Sequence, residues 1–522
     1  MDENWSRRKF LRTVGAGIAA LPLAAGRLGR AEASAKRPNI IVYITDDISY
    51  NDLGCYGNKV VKTPNIDALA EKSMVFDNAY LTSASCSPSR NSILTGRYPT
   101  STGAPELHML IDKETQPFFP RQLKAEGYYN IFSGKLHGHE LQPETWDATS
   151  EGEGPGRQED WVELLQQRDR DKPFFAWFAS FDAHRHGYVT NSQRVRRENL
   201  DPVDIKTWVL NDKAPIYDPD DIEVPPIYYD GPGTRQDLAW YYHAVSRTDY
   251  YMGELLTELE AQGELENTVI IHLTDNGRPF PRSKTFVYDS GMKTYLIVHG
   301  PGITAGRTNA LVSAVDIGPT ILELAGVNDA DDRMQGVSFA EVLEDPGAEV
   351  RDFAFSEHNW HMHPAHIRMV RYKDWMYVRN GMPHLRANNT ESGARFAAGK
   401  ELWEAFRDGK TSPAQENIFQ IPRAPEELYY IRHDPHQINN LLAQPDPADE
   451  VKEIRDYLDK VLDQWMDDIG DHVPEAPTWS NRDPTGLDRT PNEFWERGEV
   501  PGSKHGADLI HNPGPIRTPD IR

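Results

Sequence analysis

The chain has 522 residues, with 56 lysines and arginines against 80 aspartates and glutamates, a formal net charge of −24. Such an acidic balance excludes a protein that coats nucleic acid or anionic membrane, because those partners need a basic surface that displaces counterions. The two cysteines, Cys55 and Cys86, are too few for a disulfide framework or a thiolate metal cluster, and the length predicts one large domain with a smaller one.

Residues 1–35 stand apart from the rest. Ser6-Arg7-Arg8-Lys9-Phe10-Leu11-Arg12 precedes an uncharged stretch over 13–25, and small residues follow at Ala31, Ala33 and Ala35. The pattern is similar to a bacterial twin-arginine export signal, and the apolar stretch is too short and too rich in Gly and Ala to stay as a membrane span. It predicts recognition by the twin-arginine translocase, a periplasmic or secreted protein, and no membrane segment in the mature chain. The leader holds six basic and three acidic residues, so its removal leaves the chain more acidic still. Export of this type follows folding, so a modification or metal loading that needs cytoplasmic machinery can come first.

From residue 39 short apolar runs alternate with amphipathic segments, the signature of an α/β domain with a mostly parallel sheet. Buried strands are predicted over 40–44, 129–132, 174–181, 269–273 and 295–298. A helix is predicted over 64–73 with Ile66, Leu69 and Ala70 inward, and a longer one over 237–259. Beyond about residue 345 the segments shorten and gain His, Trp and Tyr. An amphipathic helix follows over 451–466 with Ile454, Leu458, Val461 and Trp465 on one face. The predicted division is therefore a large domain over 36–345 and a smaller one over 346–522, whose last forty or so residues read as irregular chain.

In open α/β sheets ligands bind beyond the carboxyl ends of the strands. Four predicted strands end in Asp46-Asp47, Gly134-Lys135-Leu136-His137, Asp182-Ala183-His184 and Asp275-Asn276-Gly277. Each motif alone also suits a turn or a helix cap; together they outline one site. Asp46, Asp47, Asp275 and Asn276 offer only oxygen, which suits a hard divalent cation, calcium before magnesium. Ser85-Cys86-Ser87-Pro88-Ser89-Arg90, with Gly96 after it, predicts a short helix with Cys86 at its amino end, where an anion is favoured. Cys86 then reads either as a low-pKa nucleophile or as a small buried residue.

Cys86-Ser87-Pro88-Ser89-Arg90 resembles the Cys-x-Pro-x-Arg signature of the type I sulfatases, members of the alkaline phosphatase superfamily. Thr45-Asp46-Asp47, Gly134-Lys135-Leu136-His137-Gly138 and Thr274-Asp275-Asn276-Gly277 also fit, over residues 38–470. Within the family the chain is similar to the heparan N-sulfatases (sulfamidases), through Asp275-Asn276-Gly277-Arg278-Pro279-Phe280-Pro281, Tyr217-Asp218-Pro219, Glu427-Leu428-Tyr429 and Asp434-Pro435-His436. The resemblance implies an alkaline-phosphatase-like large domain, its mostly parallel sheet flanked by helices, and a smaller C-terminal α+β domain with an antiparallel sheet.

It also implies that a maturation enzyme converts Cys86 to formylglycine (3-oxoalanine), whose hydrate can release sulfate and regenerate itself where a thiolate would be trapped. One calcium ion is then held by Asp46, Asp47, residue 86, Asp275 and Asn276. Arg90 and Lys135 hold the nucleophile and the sulfate, His184 with Lys284 protonates the leaving atom, and His137 takes the proton that frees the product. His108, His358, His361 and Arg368 are expected to face the sugar, and Cys55 to be a buried packing residue unbridged to Cys86. One departure stands out: Lys284 replaces the arginine of sulfamidases and is the residue type usual in O-sulfatases. The implied substrate is a sulfated saccharide, a glycosaminoglycan or an algal polysaccharide fragment such as ulvan. N-sulfoglucosamine hydrolysis, phosphate or phosphonate monoester hydrolysis, and glycan binding without catalysis are the alternatives.

Overall fold

The run at 39–45 forms β1 (Asn39–Thr45), buried along its whole length in the computed structural model. The structure describes residues 36–112, 114–135, 143–185, 211–387, 396–479, 497–502 and 509–521; the predicted leader lies outside these. A strand apolar on both sides needs cover on both faces. The period of two supplies it: Ile41 and Tyr43 join one core with Leu238 and Val245, whereas Ile40, Val42 and Ile44 join another with Ile93, Ile317 and Ile321.

β1 sits inside an eight-stranded sheet with β2 (Met74–Tyr80), β3 (Tyr129–Gly134), β4 (Ala148–Ser150), β5 (Phe174–Ala179), β6 (Thr268–Thr274), β7 (Lys293–His299) and β8 (Gly306–Ser313). The order is β4-β3-β5-β1-β6-β7-β2-β8. Both pairings of β7 are antiparallel and all the others parallel, as the expected mostly parallel sheet requires. The five predicted strands are β1, β3, β5, β6 and β7. β2 and β8 were not legible, because irregular register between them breaks the apolar alternation at Asp77-Asn78 and around Asn309.

Eight described helices have seven residues or more: α1 (Pro64–Ala70), α2 (Cys86–Thr95), α3 (Phe119–Ala125), α4 (Trp161–Gln167), α5 (Pro232–Ala261), α6 (Ile317–Leu324), α7 (Ala397–Arg407) and α8 (Asp449–Ile469). α1 buries Ile66, Leu69 and Ala70 as expected. α5 outruns its prediction at both ends, starting at Pro232, whose missing N–H costs nothing in a first turn. Among the described residues no helix is long and apolar enough to cross a membrane.

The expected antiparallel C-terminal sheet is present as β9 (Phe353–His358), β10 (Ile367–Tyr372), β11 (Trp375–Asn380) and β12 (Glu426–Tyr430), in the order β12-β11-β10-β9. α8 covers it. Leu458, Val461, Leu462, Trp465 and Ile469 join a core with Phe353, Phe355, Val370 and Tyr377, and Trp465 stacks on Phe355 with ring centroids 4.9 Å apart. Ile454, expected inward, is only half-buried. This sheet is tied to the chain just before Cys86: Ser356 Oγ donates to the Leu81 carbonyl at 2.6 Å and the Glu357 N–H to that of Thr82 at 2.8 Å.

Because β7 alone is reversed, β1, β2, β3, β5 and β6 run the same way and end at one edge of the sheet. The segments leaving that edge carry the polar motifs.

Candidate active site

Asp46 and Asp47 follow β1 directly. Asp47 takes the left-handed φ of 60°, a conformation that surrounding contacts must hold in a non-glycine residue. Here its N–H donates to Asp275 Oδ1 at 3.2 Å, clamping the end of β1 to that of β6. Asn276 Nδ2 donates to Asp47 Oδ1 at 2.6 Å, and Lys284 Nζ lies 2.7 Å from the same oxygen. Arg90 Nε donates to Asp275 Oδ2 at 2.8 Å while its Nη2 lies 3.6 Å from Asp46 Oδ2. Lys135, leaving β3, pairs with Asp46. Gly134 sets its course: φ is 104° and a Cβ there would overlap the Ala179 carbonyl, so no other residue fits without displacing β5. All these side chains are buried.

Cys86 opens α2, which closes at Gly96 with φ 64°, as the sequence predicts. Its Sγ lies 3.8 Å from Asp46 Oδ1 and 4.0 Å from Asp47 Oδ1, and Leu107 and Trp360 pack against it. Arg90, one turn on, shares Asp46 with Cys86 and reaches on to Asp275. Burial pushes the Cys86 thiol up to about 12 despite Lys135 and Lys284, which pull the other way. This works against the low-pKa reading of the bare thiol, with Asp46 and Asp275 adding to the effect of burial. Cys86 and Cys55 are unbridged, and Cys55 is half-buried rather than enclosed.

His184 presents a ring nitrogen within 4.8 Å of both an Asp46 oxygen and Cys86 Sγ. Its ring stacks on Phe181 at 4.8 Å, a ring that Lys135 also overlies at 5.5 Å. His137 lies outside the described residues.

The donors fit a hard cation. Oxygens of Asp46, Asp47 and Asp275 lie within 4.8 Å of one another, and Asn276 Oδ1 is buried with no hydrogen-bond partner. Burial pushes the Asp46 and Asp275 carboxyls up, with Lys135 and Arg90 respectively the main opposing influence. Three dehydrated carboxylates and an idle amide oxygen present a purely oxygen donor set, the kind a hard cation takes.

The model of the Sulfatase family matches residues 38–150 and 158–327, which contain every side chain of this cluster. The chain belongs to the sulfatase family. A second model, "N-sulphoglucosamine sulphohydrolase, C-terminal", matches residues 282–380. An ulvan-active sulfatase of Formosa agariphila is 28% identical over 481 residues, covering 84% of this chain and 77% of its own. Human N-sulphoglucosamine sulphohydrolase is 30% identical over 460 residues, covering 82% and 90%. A structure solved in complex with its substrate D-glucosamine-2-N,6-O-disulfate superposes with a TM-score of 0.60 at 20% identity, covering 81% of this chain and 98% of its own. That likeness establishes the fold, and the family establishes a sulfuric ester hydrolase.

Around the centre the expected sugar-facing residues divide. His361 Nδ1 is 2.7 Å from Ser85 Oγ, directly beside Cys86. His108, on the exposed rim with φ 64°, receives its place from its N–H donating to Ser87 Oγ at 2.8 Å. His358 is buried, and burial with Arg368 and Arg423 pushes it down to about 3. Arg368 departs from expectation. It is fully enclosed, with Nε and Nη2 donating to Asp471 at 2.5 and 2.7 Å and the Glu357 carboxylate 3.8 Å from Nη2, so its charge is committed to structure. Leu107, Trp360 and Asp471 went unread because nothing in local spacing links them to Cys86 or Arg368.

Proposed function

We propose that this enzyme is exported by the twin-arginine route and hydrolyses sulfate groups from a sulfated saccharide at the centre around residue 86. The observation that carries the reading is the convergence of Asp46, Asp47, Asp275 and Asn276 on Cys86 at the start of α2, with Arg90, Lys135, His184 and Lys284 around it. Cys86 is the residue converted to formylglycine, which supplies a hydrated aldehyde as a nucleophile able to discharge its sulfate. Asp46, Asp47, Asp275, Asn276 and the oxygen at residue 86 would hold a calcium ion, which would supply positive charge to the reacting groups.

The remaining groups bind, orient and move protons. Asp275 accepts the proton of the attacking hydroxyl. Arg90 and Lys135 donate hydrogen bonds to the nucleophile's hydroxyls and to the negative charge gathering on the sulfate. His184 and Lys284 face the departing oxygen or nitrogen and protonate it, and His137 removes the last proton. His108 and His361 border the sugar. Lys284 favours an O-sulfate substrate, whereas the match of residues 282–380 to an N-sulphoglucosamine sulphohydrolase segment favours an N-sulfate.

The test is sulfate release from a panel of O- and N-sulfated mono- and oligosaccharides by natively produced protein, with the mass of the peptide spanning residue 86. Release accompanied by the aldehyde mass is expected. Failure on every N-sulfated member removes the sulfamidase reading, and an unmodified Cys86 in active native protein contradicts the nucleophile.

A further inference from the structure

We propose that the cleft bordered by Thr285, His358, His366, Asn380, Arg386 and Arg423 binds a second anionic group of the saccharide, a sulfate or a uronate carboxylate, so that the enzyme selects multiply charged substrates. The inference deepens the proposed function and rests on it.

The cleft adjoins the reacting centre through two covalent paths. Thr285, in its wall, follows Lys284. The loop after β9 packs Trp360 on Cys86 and sets His361 against Ser85, and its far end at Pro364, Ala365 and His366 forms another wall. The recess is partly open to solvent, and its empty space of about 360 Å³ includes that mouth.

Its polar lining is under-used. Arg386 Nε is buried without a hydrogen-bond partner, and among the described residues no carboxylate pairs with this guanidinium; it lies over the Trp403 ring at 5.3 Å. Arg423 has a carboxylate only at 3.8 Å, that of Glu427. Glu427 is already occupied, accepting from Tyr288 and Tyr429 hydroxyls at 2.7 Å each and from Asn380 Nδ2 at 2.8 Å. Thr285 Oγ1 and His366 Nδ1 are also buried without partners. His358, kept neutral by its surroundings, offers one N–H. Two guanidinium groups, a hydroxyl and an imidazole with no unpaired carboxylate among them form a receptor for an anion. In a chain as acidic as this one, a locally positive recess is conspicuous.

The test uses natively matured, calcium-loaded enzyme with aryl sulfate hydrolysis as the reporter, inhibited competitively by saccharide pairs differing in one anion. One pair is glucosamine 6-sulfate against glucosamine 2-N,6-O-disulfate; the other is a sulfated uronate disaccharide against its carboxyl-reduced form. The more anionic member should inhibit about tenfold more tightly in at least one pair, as one charge-assisted contact provides. The pair that responds tells sulfate from carboxylate. Arg386→Gln should bring that ratio within about twofold of one, and Arg386→Lys should retain most of it. Ratios near one for both pairs in the unsubstituted enzyme overturn the proposal, as does an unchanged ratio in Arg386→Gln. Absence of aryl sulfate turnover with residue 86 in its aldehyde form overturns the sulfatase function itself, an outcome distinct from both.

Discussion

Lys284 and Asn276 share one carboxylate, that of Asp47, yet their tasks separate by chemistry. Lys284 is a point charge on Asp47 at 2.7 Å; in its proposed role at the leaving atom, Lys284→Ala should lower kcat for an aryl sulfate by about 10²- to 10³-fold. The metal should remain, and equal kcat in the variant would remove Lys284 from the chemistry. Asn276 spends its amide nitrogen on Asp47 at 2.6 Å and leaves its oxygen unbonded. Asn276→Ala should therefore release calcium at least about tenfold more readily on dialysis, read by metal analysis rather than by rate; unchanged retention would exclude Asn276 as a ligand. Asn276 was legible because its motif sits directly at a predicted strand end, and Lys284 only through the family resemblance of the run that precedes it. Arg386 and Arg423 were not: their meaning depends on which carboxylates are already satisfied, a three-dimensional fact.

At the scale of elements, the sheet edge depends on how strands and helices are pinned. Gly134 ends β3 where a Cβ would strike the Ala179 carbonyl of β5. Gly134→Ala should destabilise the fold by about 2 kcal/mol or more in denaturant unfolding and carry Lys135 off Asp46; a neutral effect would show that β3 can shift freely. α1 is held to α5 by Asp249, whose carboxylate accepts from the Ile66 N–H at 2.7 Å and Asn65 Nδ2 at 2.9 Å. Burial pushes Asp249 up to about 7 against these bonds. An acid raised in the folded state binds more protons there than in the unfolded chain, so its contribution is full below about pH 4. It declines as pH rises toward about 7. The unfolding free energy of the native chain relative to Asp249→Asn should fall between pH 5 and pH 8, and a difference independent of pH would refute the shift. Buried runs such as β1 and β6 were legible because both faces of a parallel strand are apolar. β2 and β8 were lost to their irregular pairing, and β4 to its length of three residues.

At the scale of the whole molecule, the net charge of −24 leaves attraction of a sulfated substrate to Arg90, Lys135, Lys284 and the proposed cation at the centre. The surface repels sulfated polymers over a distance that salt shortens, from about 30 Å at 0.01 M to about 8 Å at 0.15 M. Turnover of a long sulfated polymer relative to a monosaccharide sulfate should rise across that range of salt; a falling ratio would mean that the surface attracts the polymer. On this prediction the acidic composition disfavours long sulfated polymers, as it does nucleic acid. On the proposed function, this assembly of carboxylates, cations and residue 86 hydrolyses sulfate esters in preference to phosphate esters. The direct measurement is kcat/KM of the natively matured enzyme on the sulfate and phosphate monoesters of one phenol. Sulfate well ahead of phosphate is the predicted result, and phosphate ahead of sulfate would contradict it.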